Sequence, residues 1–134
     1  MNRFGRYKLL FLLMLLPVFF IQSVQAEIPE AIISAISAGN ATKLATYFNA
    51  SLEVAILDKE DFYSKQQAEL IIKDFFTRNA PTSFAILHKG GKEGSQYVIG
   101  KLVTAGGSYR VTILVKMKED KALIHQLRFE KDDE

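Results

Sequence analysis

The sequence contains no cysteine, and its only histidines are His88 and His125. Without a thiol there can be no disulfide bond, no cysteine nucleophile and no thiolate-ligated metal centre. Two histidines are too few for a histidine-rich zinc centre, although a site that combines histidine with carboxylates remains open. We therefore expect a fold that depends on its apolar core, and we expect neither a metal nor a cofactor.

The sequence also lacks the short motifs of common enzyme classes. It contains no GxSxG turn, no HExxH helix and no calcium-binding loop. The glycine-rich segment 89–94 superficially resembles a phosphate-binding loop, but it joins two predicted strands and lacks the GxxxxGK[ST] spacing. We interpret this segment as a turn, so the sequence predicts no nucleotide site. Internal repeats and low-complexity linkers are absent as well.

One long apolar run stands at the start of the chain, over residues 9–21, interrupted only by Pro17. It follows three basic residues, Arg3, Arg6 and Lys8, and precedes the small-x-small sequence Val24-Gln25-Ala26. This order of a basic, an apolar and a small-residue region is typical of a secretory signal peptide. We predict that residues 1–26 are a signal peptide, cleaved between Ala26 and Glu27.

A retained membrane anchor is the alternative interpretation of this segment. The run over residues 9–21 is shorter than the roughly 20 apolar residues that a spanning helix needs, which favours cleavage. The absence of cysteine excludes a lipid-anchored lipoprotein. We expect export to the periplasm, with secretion as the alternative, and membrane contact only through the signal peptide before cleavage.

Charge of one sign does not dominate the predicted mature chain. The full sequence has a formal net charge of +2, but the signal peptide carries three of its 17 basic residues. The remaining 14 basic and 15 acidic residues give a net charge of −1. This balance provides no general positive field for nucleic acid, so we expect no nucleic-acid partner.

Three helices are predicted from apolar residues at helical spacing. Ile32, Ile33 and Ile36 belong to the first helix, which Gly39 ends, and a short second helix follows over residues 41–48. The third helix carries a wide apolar face over residues 68–76. Ser64 and Gln67 have the spacing of a capping box at its start.

The remaining segments alternate with the period of strands. Strands are predicted over residues 52–57, 62–63, 84–88, 96–104, 109–118 and 122–130, with a bend at Gly100. The predicted order is α-α-β-β-α-β-β-β-β, which is typical of the α+β class. We expect a single domain over residues 27–134, in which three helices pack on a strongly curved antiparallel sheet to form an open cone.

This order resembles the nuclear-transport-factor-2-like fold, also called cystatin-like or SnoaL-like. The segments Ala45-Thr46-Tyr47-Phe48, 52–57, 63–76 and Leu127-Arg128-Phe129-Glu130 carry this likeness. More narrowly, residues 56–58, 63–69, 74–76 and 126–130 resemble a family of small exported bacterial proteins known as domain of unknown function 4783. Because that family has no assigned activity, the resemblance implies the fold and the compartment but not the chemistry.

Catalysis would need ionisable groups inside the predicted cone. Alternation places His88 on one face with Phe84 and Ile86, and it places His125 with Leu123, Leu127 and Phe129. Either histidine is a candidate general base or ligand-orienting group, but a half-buried or solvent-facing sheet residue is the simpler interpretation. Asp58 is a further candidate acid, although a turn residue that caps the hairpin is the simpler interpretation there.

Two functions remain open on these residues. The first is non-catalytic binding of a small apolar ligand in the cone or of a protein partner, including self-association as a homodimer through the sheet. The candidate pocket residues are Tyr47, Phe76, Tyr109, Ile113, His125 and Phe129. The second is a small isomerase- or dehydratase-like enzyme that uses His88 or His125. The predicted inward positions are almost all apolar, which favours binding over catalysis.

Overall fold

The computed structural model describes residues 17–18 and 27–133 of the chain. The predicted signal peptide, apart from Pro17 and Val18, and the cleavage site at Ala26 lie outside the described residues, so cleavage stays a prediction. None of the described helices is long and apolar enough to cross a membrane.

Residues 27–133 form three helices and six strands in the predicted order, so the α+β fold class is confirmed. The helices are α1 (Glu30–Ala38), α2 (Ala41–Ala45) and α3 (Lys65–Arg78). The strands are β1 (Phe48–Ile56), β2 (Lys59–Ser64), β3 (Pro81–Lys92), β4 (Ser95–Thr104), β5 (Gly107–Lys118) and β6 (Lys121–Lys131).

The helix boundaries follow from local side-chain chemistry. Ser64 Oγ accepts a hydrogen bond from the backbone N–H of Gln67, and Gln67 Oε1 accepts one from the backbone N–H of Ser64, each at 3.2 Å. This is the predicted capping box at the start of α3. Gly39 ends α1 with φ of 66°, and a Cβ there would lie 2.8 Å from Pro81 Cδ. Glycine satisfies both demands because it has no Cβ.

The six strands form one curved sheet in the order β2-β1-β6-β5-β4-β3. Every neighbouring pair is antiparallel except β1 and β6, which run parallel. The sequence predicts an antiparallel sheet, and hairpin turns do join most of these strands. β1 and β6 are instead brought together by the packing of the whole chain, so no local turn signal reveals their direction.

The core lies between the three helices and the inner face of the sheet. Phe75 of α3 packs against Phe129 of β6, with ring centroids 4.5 Å apart, and edge-on against Tyr109 of β5 at 5.1 Å. Phe129 is fully buried. These aromatic contacts fix α3 across the middle of the sheet, and they thereby place one side of α3 beside β1 and β2.

Beside β4, β3 has two residues without a partner, and beside β5, β6 has one; two of these three change the predicted faces. In β3, Ile86 pairs with Gly100 and His88 pairs with Ile99, which leaves Leu87 without a partner. In β6, Gln126 pairs with Leu114 and Ile124 with Val115, which leaves His125 without one. Such β-bulges interrupt the two-residue alternation of a strand.

The predicted bend at Gly100 corresponds to the first of these bulges, although the extra residue is in β3 and not in β4. The ring of Phe84 covers Gly100, and a Cβ on Gly100 would overlap two of its ring carbons. Glycine is therefore needed at this position because an aromatic ring occupies the space of a side chain.

Candidate functional site

A cavity of about 500 Å³ lies between α3 and the β1–β2 hairpin. Half of its lining residues are apolar: Val54, Ile56, Leu57, Leu70, Ile71 and Phe75. The other half carry polar groups: Lys59, Tyr63, Asp74, Arg78, Asn79 and Tyr109. Its size falls within the range of about 300–1,000 Å³ that is typical of small-molecule sites.

The apolar wall follows from two different periodicities. Ile71 and Phe75 are four residues apart and therefore lie on one face of α3. Val54 and Ile56 are two residues apart and therefore lie on the inner face of β1. Leu70, which is 66% exposed, and Leu57, which is 44% exposed, leave the apolar surface open to solvent at the mouth.

The α3 C-terminus contributes a polar group to one end of the cavity. The Tyr109 hydroxyl donates a hydrogen bond to Asn79 Oδ1 at 2.9 Å, and Asn79 Nδ2 donates one to the carbonyl of Phe75 at 3.1 Å. Asn79 immediately follows the last residue of α3. The Phe75 carbonyl also accepts the backbone N–H of Asn79 at 2.8 Å, so the Asn79 side chain reinforces the end of α3. The second N–H of its amide is available to a ligand.

Three charged side chains line the cavity, and two of them pair with each other. Arg78 Nε lies 3.3 Å from Asp74 Oδ2, and both side chains are mostly exposed. Lys59 forms no ion pair with any other residue in the part of the chain that the structure describes. The formal charge of the lining is therefore +1, and Lys59 carries the cation that is left over.

Of the six residues predicted to line a pocket, only Tyr109 lines this cavity. Ile113 and Phe129 are fully buried in the core, and Tyr47 packs against the core from a half-buried position. Phe76, which is 5% exposed, belongs to the core and borders a separate surface depression beside α2. The inward faces were predictable, but an inward side chain in a well-packed core has no free space beside it.

His88 lies on the opposite face from the one predicted. Because Leu87 is an extra residue of β3, His88 pairs with Ile99 and does not share the inner face with Phe84 and Ile86. Its Nε2 lies 2.9 Å from the hydroxyl of Tyr97, and His88 is exposed. His88 therefore stands outside the cavity described above.

His125 is the extra residue of β6, and the predicted face of that strand is also wrong. Ile124 and Leu127 are both fully buried although they are three residues apart, whereas Leu123 is only half-buried. Burial lowers the pKa of His125, and the charges of Lys116 and Lys118 lower it further. His125 is not among the residues that line the cavity.

Asp58 occupies the turn between β1 and β2, where it is exposed. It is not among the cavity-lining residues, although its neighbours Leu57 and Lys59 are. The cavity-lining carboxylate is Asp74, a residue that the sequence analysis did not single out. In the sequence, Pro81 indicates that the third helix ends near Asn79, whereas nothing in the sequence alone marks Lys59 or Leu70.

Arg128 forms a charged cluster with three glutamates in β1, β2 and β6. Its guanidinium nitrogens lie 2.9 Å from Glu60, 3.2 Å from Glu130 and 3.5 Å from Glu53. A hydrogen bond with Glu60, together with burial, raises the pKa of Glu53, and the same hydrogen bond lowers the pKa of Glu60. Among the described residues, no group of three or more histidine, aspartate or glutamate side chains is arranged to hold a metal ion.

Comparisons with known proteins identify a family and a fold. The model of the family named domain of unknown function 4783 (DUF4783) matches residues 29–130. A DUF4783 protein from Bacteroides ovatus is 32% identical, with a TM-score of 0.77 over 81% of this chain and 98% of that one. Another, from Bacteroides uniformis, is 34% identical, with a TM-score of 0.77 over 81% of this chain and 100% of that one. No curated protein matches the chain.

More distant structures share the fold alone. A putative polyketide cyclase from Sinorhizobium meliloti is 13% identical, with a TM-score of 0.59 over 77% of this chain and 95% of that one. A protein named for nuclear transport factor 2 is 15% identical, with a TM-score of 0.62 over 75% of this chain and 90% of that one. The fold is therefore nuclear-transport-factor-2-like.

Proposed function

Because the chain belongs to the DUF4783 family, whose name assigns no activity, we propose a function from the chain's own cavity. The protein is an exported, non-catalytic domain that binds a small apolar ligand between α3 and the β1–β2 hairpin. Fold likeness does not enter this proposal, since one fold hosts many activities.

The observation that carries the proposal is the cavity of about 500 Å³ with an apolar wall. Ligand sites typically combine such a wall with a small number of polar groups that orient the ligand. Here Ile71, Phe75 and Val54 supply apolar surface, and the Tyr109–Asn79 pair supplies the polar group. The exposed Leu57 and Leu70 at the mouth extend the surface that an apolar ligand would cover.

The enzyme alternative would require an acid and a base that converge on one position of a substrate. Neither His88 nor His125 lines the cavity, and its carboxylate, Asp74, is paired with Arg78. An isomerase- or dehydratase-like mechanism that uses either histidine would therefore need a different cavity. This arrangement supports binding over catalysis.

Self-association through the outer face of the sheet is a second candidate function. Ile99 and Val103 of β4 and Leu114 of β5 alternate with inward-facing neighbours and are only half-buried. Lys101 lies between Ile99 and Val103 on β4, and its partner Arg110 on β5 pairs in turn with Glu130 of β6. In a two-fold symmetric homodimer, this face of one protomer would meet the same face of the other.

The ligand-binding proposal can be tested on protein purified from the periplasm. Native mass spectrometry reports a retained small molecule, and the neutral fluorescent probe N-phenyl-1-naphthylamine reports a vacant apolar cavity. We expect a retained molecule or saturable probe binding in the wild type, and we expect Ile71→Trp to abolish either signal because the indole fills the cavity.

The matched control is Leu87→Trp, which adds the same ring at an exposed position of β3 and should leave binding unchanged. The proposal is overturned if the wild type neither retains a molecule nor binds the probe. It is equally overturned if Ile71→Trp and Leu87→Trp behave alike while Ile71→Trp keeps its fold.

A further inference from the structure

We infer that the ligand of this cavity is an amphiphile with one anionic head group, such as a medium-chain carboxylate, and that the Lys59 ammonium is its counter-charge. The inference rests on the proposed function because it concerns the same cavity. Beyond that function, the inference specifies the sign of the ligand's charge and the part of the cavity in which that charge is bound.

The position of Lys59 follows from the register of the first hairpin. Lys59 pairs directly with Ile56, so the two side chains lie on one face of the β1–β2 pair. Ile56 lines the apolar wall, and Lys59 lines the cavity beside it. A ligand whose apolar body covers Ile56 and Ile71 therefore has the Lys59 ammonium within reach of its end.

The other charges around the cavity leave Lys59 available. Arg78 is neutralised by Asp74 at 3.3 Å. Asp61 follows Lys59 on the same face of β2, but its Oδ1 accepts a hydrogen bond from the backbone N–H of Phe62 at 2.8 Å and forms no ion pair with Lys59. The unbalanced charge of the lining is positive.

The side of the cavity beside β5 offers less to an anion than Lys59 does. Tyr109 of β5 and Lys59 of β2 are separated by β1 and β6 in the sheet. Arg78 and Asn79 stand at the C-terminus of α3, where the helix dipole is negative. The Tyr109 hydroxyl already donates its proton to Asn79. An anionic head group is therefore favoured beside Lys59, and the apolar body then lies against the apolar wall of the cavity.

The test compares three competitors that share one apolar chain and differ in the charge of the head group. Decanoate, decanol and decylamine are titrated against bound N-phenyl-1-naphthylamine below the micellar concentration or, for decanol, the solubility limit. We expect decanoate to displace the probe at a concentration about three- to fivefold lower than decanol, which is the contribution of a partly exposed ion pair. Decylamine should be the weakest competitor, and added salt should narrow the differences.

The variant Lys59→Gln removes the charge and keeps most of the side-chain length. We expect it to weaken the binding of decanoate about three- to fivefold and to leave that of decanol within about twofold, since only the ion pair is lost. Lys73→Gln is the matched control, because Lys73 is another exposed lysine, on α3, that does not line the cavity.

The outcomes separate the inference from the proposed function. If decanol competes as well as decanoate, or if Lys59→Gln weakens both equally, the anionic-head inference is overturned while apolar binding stands. If decylamine is the tightest competitor, the sign of the charge is wrong. If the probe does not bind and no competitor binds by direct titration, the proposed function fails together with the inference.

Discussion

The Tyr109–Asn79 hydrogen bond shows how one residue serves both the core and the cavity. The Tyr109 ring packs edge-on against Phe75, and its hydroxyl is hydrogen-bonded to the residue that ends α3. Tyr109 is 6% exposed, so little water is available to replace this bond. The side chain therefore couples the position of α3 to the start of β5.

We expect Tyr109→Phe to lower the free energy of unfolding by about 1 kcal/mol, because the ring contacts remain and one partly buried hydrogen bond is lost. Urea denaturation followed by circular dichroism measures this change. Tyr97→Phe is the matched control, since its hydroxyl bonds the exposed His88 and should contribute less. An equal loss in the two variants would contradict the structural role assigned to Asn79.

At the scale of elements, the pairing of strands decides which predictions from alternation succeed. β5 contains no extra residue, and its inward positions Tyr109, Val111, Ile113 and Val115 are all buried as alternation predicts. β3 contains two extra residues and β6 one, and the predicted faces of both candidate histidines are wrong. The simpler interpretation, a solvent-facing or half-buried sheet residue, fits both His88 and His125. A bulge is defined by the partner strand, so the sequence of one strand alone does not reveal it.

The cavity was only partly predictable for a related reason. Tyr109 is predicted as a pocket residue because alternation within β5 alone shows which way it faces. Lys59 and Leu70 line the cavity only because α3 packs on the β1–β2 hairpin. The parallel pairing of β1 with β6 is likewise a long-range feature. Helix caps such as Ser64 and Gln67, by contrast, are local and were predicted correctly.

The contact of Phe84 with Gly100 tests the pairing of β3 with β4. We expect Gly100→Ala to lower the free energy of unfolding by about 1–3 kcal/mol, because the new methyl group overlaps the Phe84 ring. In a Phe84→Ala background the same substitution should cost less. A double-mutant cycle by chemical denaturation measures the coupling, and equal costs in the two backgrounds would exclude the ring as the cause.

At the scale of the whole molecule, the outer face of the sheet predicts the oligomeric state. If Ile99, Val103 and Leu114 form a self-complementary interface, the protein from residue 27 onwards should elute as a dimer in size-exclusion chromatography with light scattering. We expect Leu114→Arg to convert it to a monomer, because the interface would bury an unpaired charge. Leu70→Arg, on α3 at the cavity mouth, should leave the dimer intact.

A monomeric wild type, or a Leu114→Arg variant that remains dimeric, would leave the outer face without this role. In either case the cavity proposal is unaffected, since the cavity lies beside α3 on the inner face of the sheet.

The position of β6 also determines when, during synthesis, the sheet can be completed. β6 is the last strand in the sequence, yet it lies in the interior of the sheet between β1 and β5. The sheet therefore stays divided until β6 has been synthesised, and the pairing of β1 with β6 closes one of the longest loops in the chain. Because the complete sheet needs β6, the chain cannot reach its native fold earlier, and a chain without its native fold suits the predicted export route through a membrane.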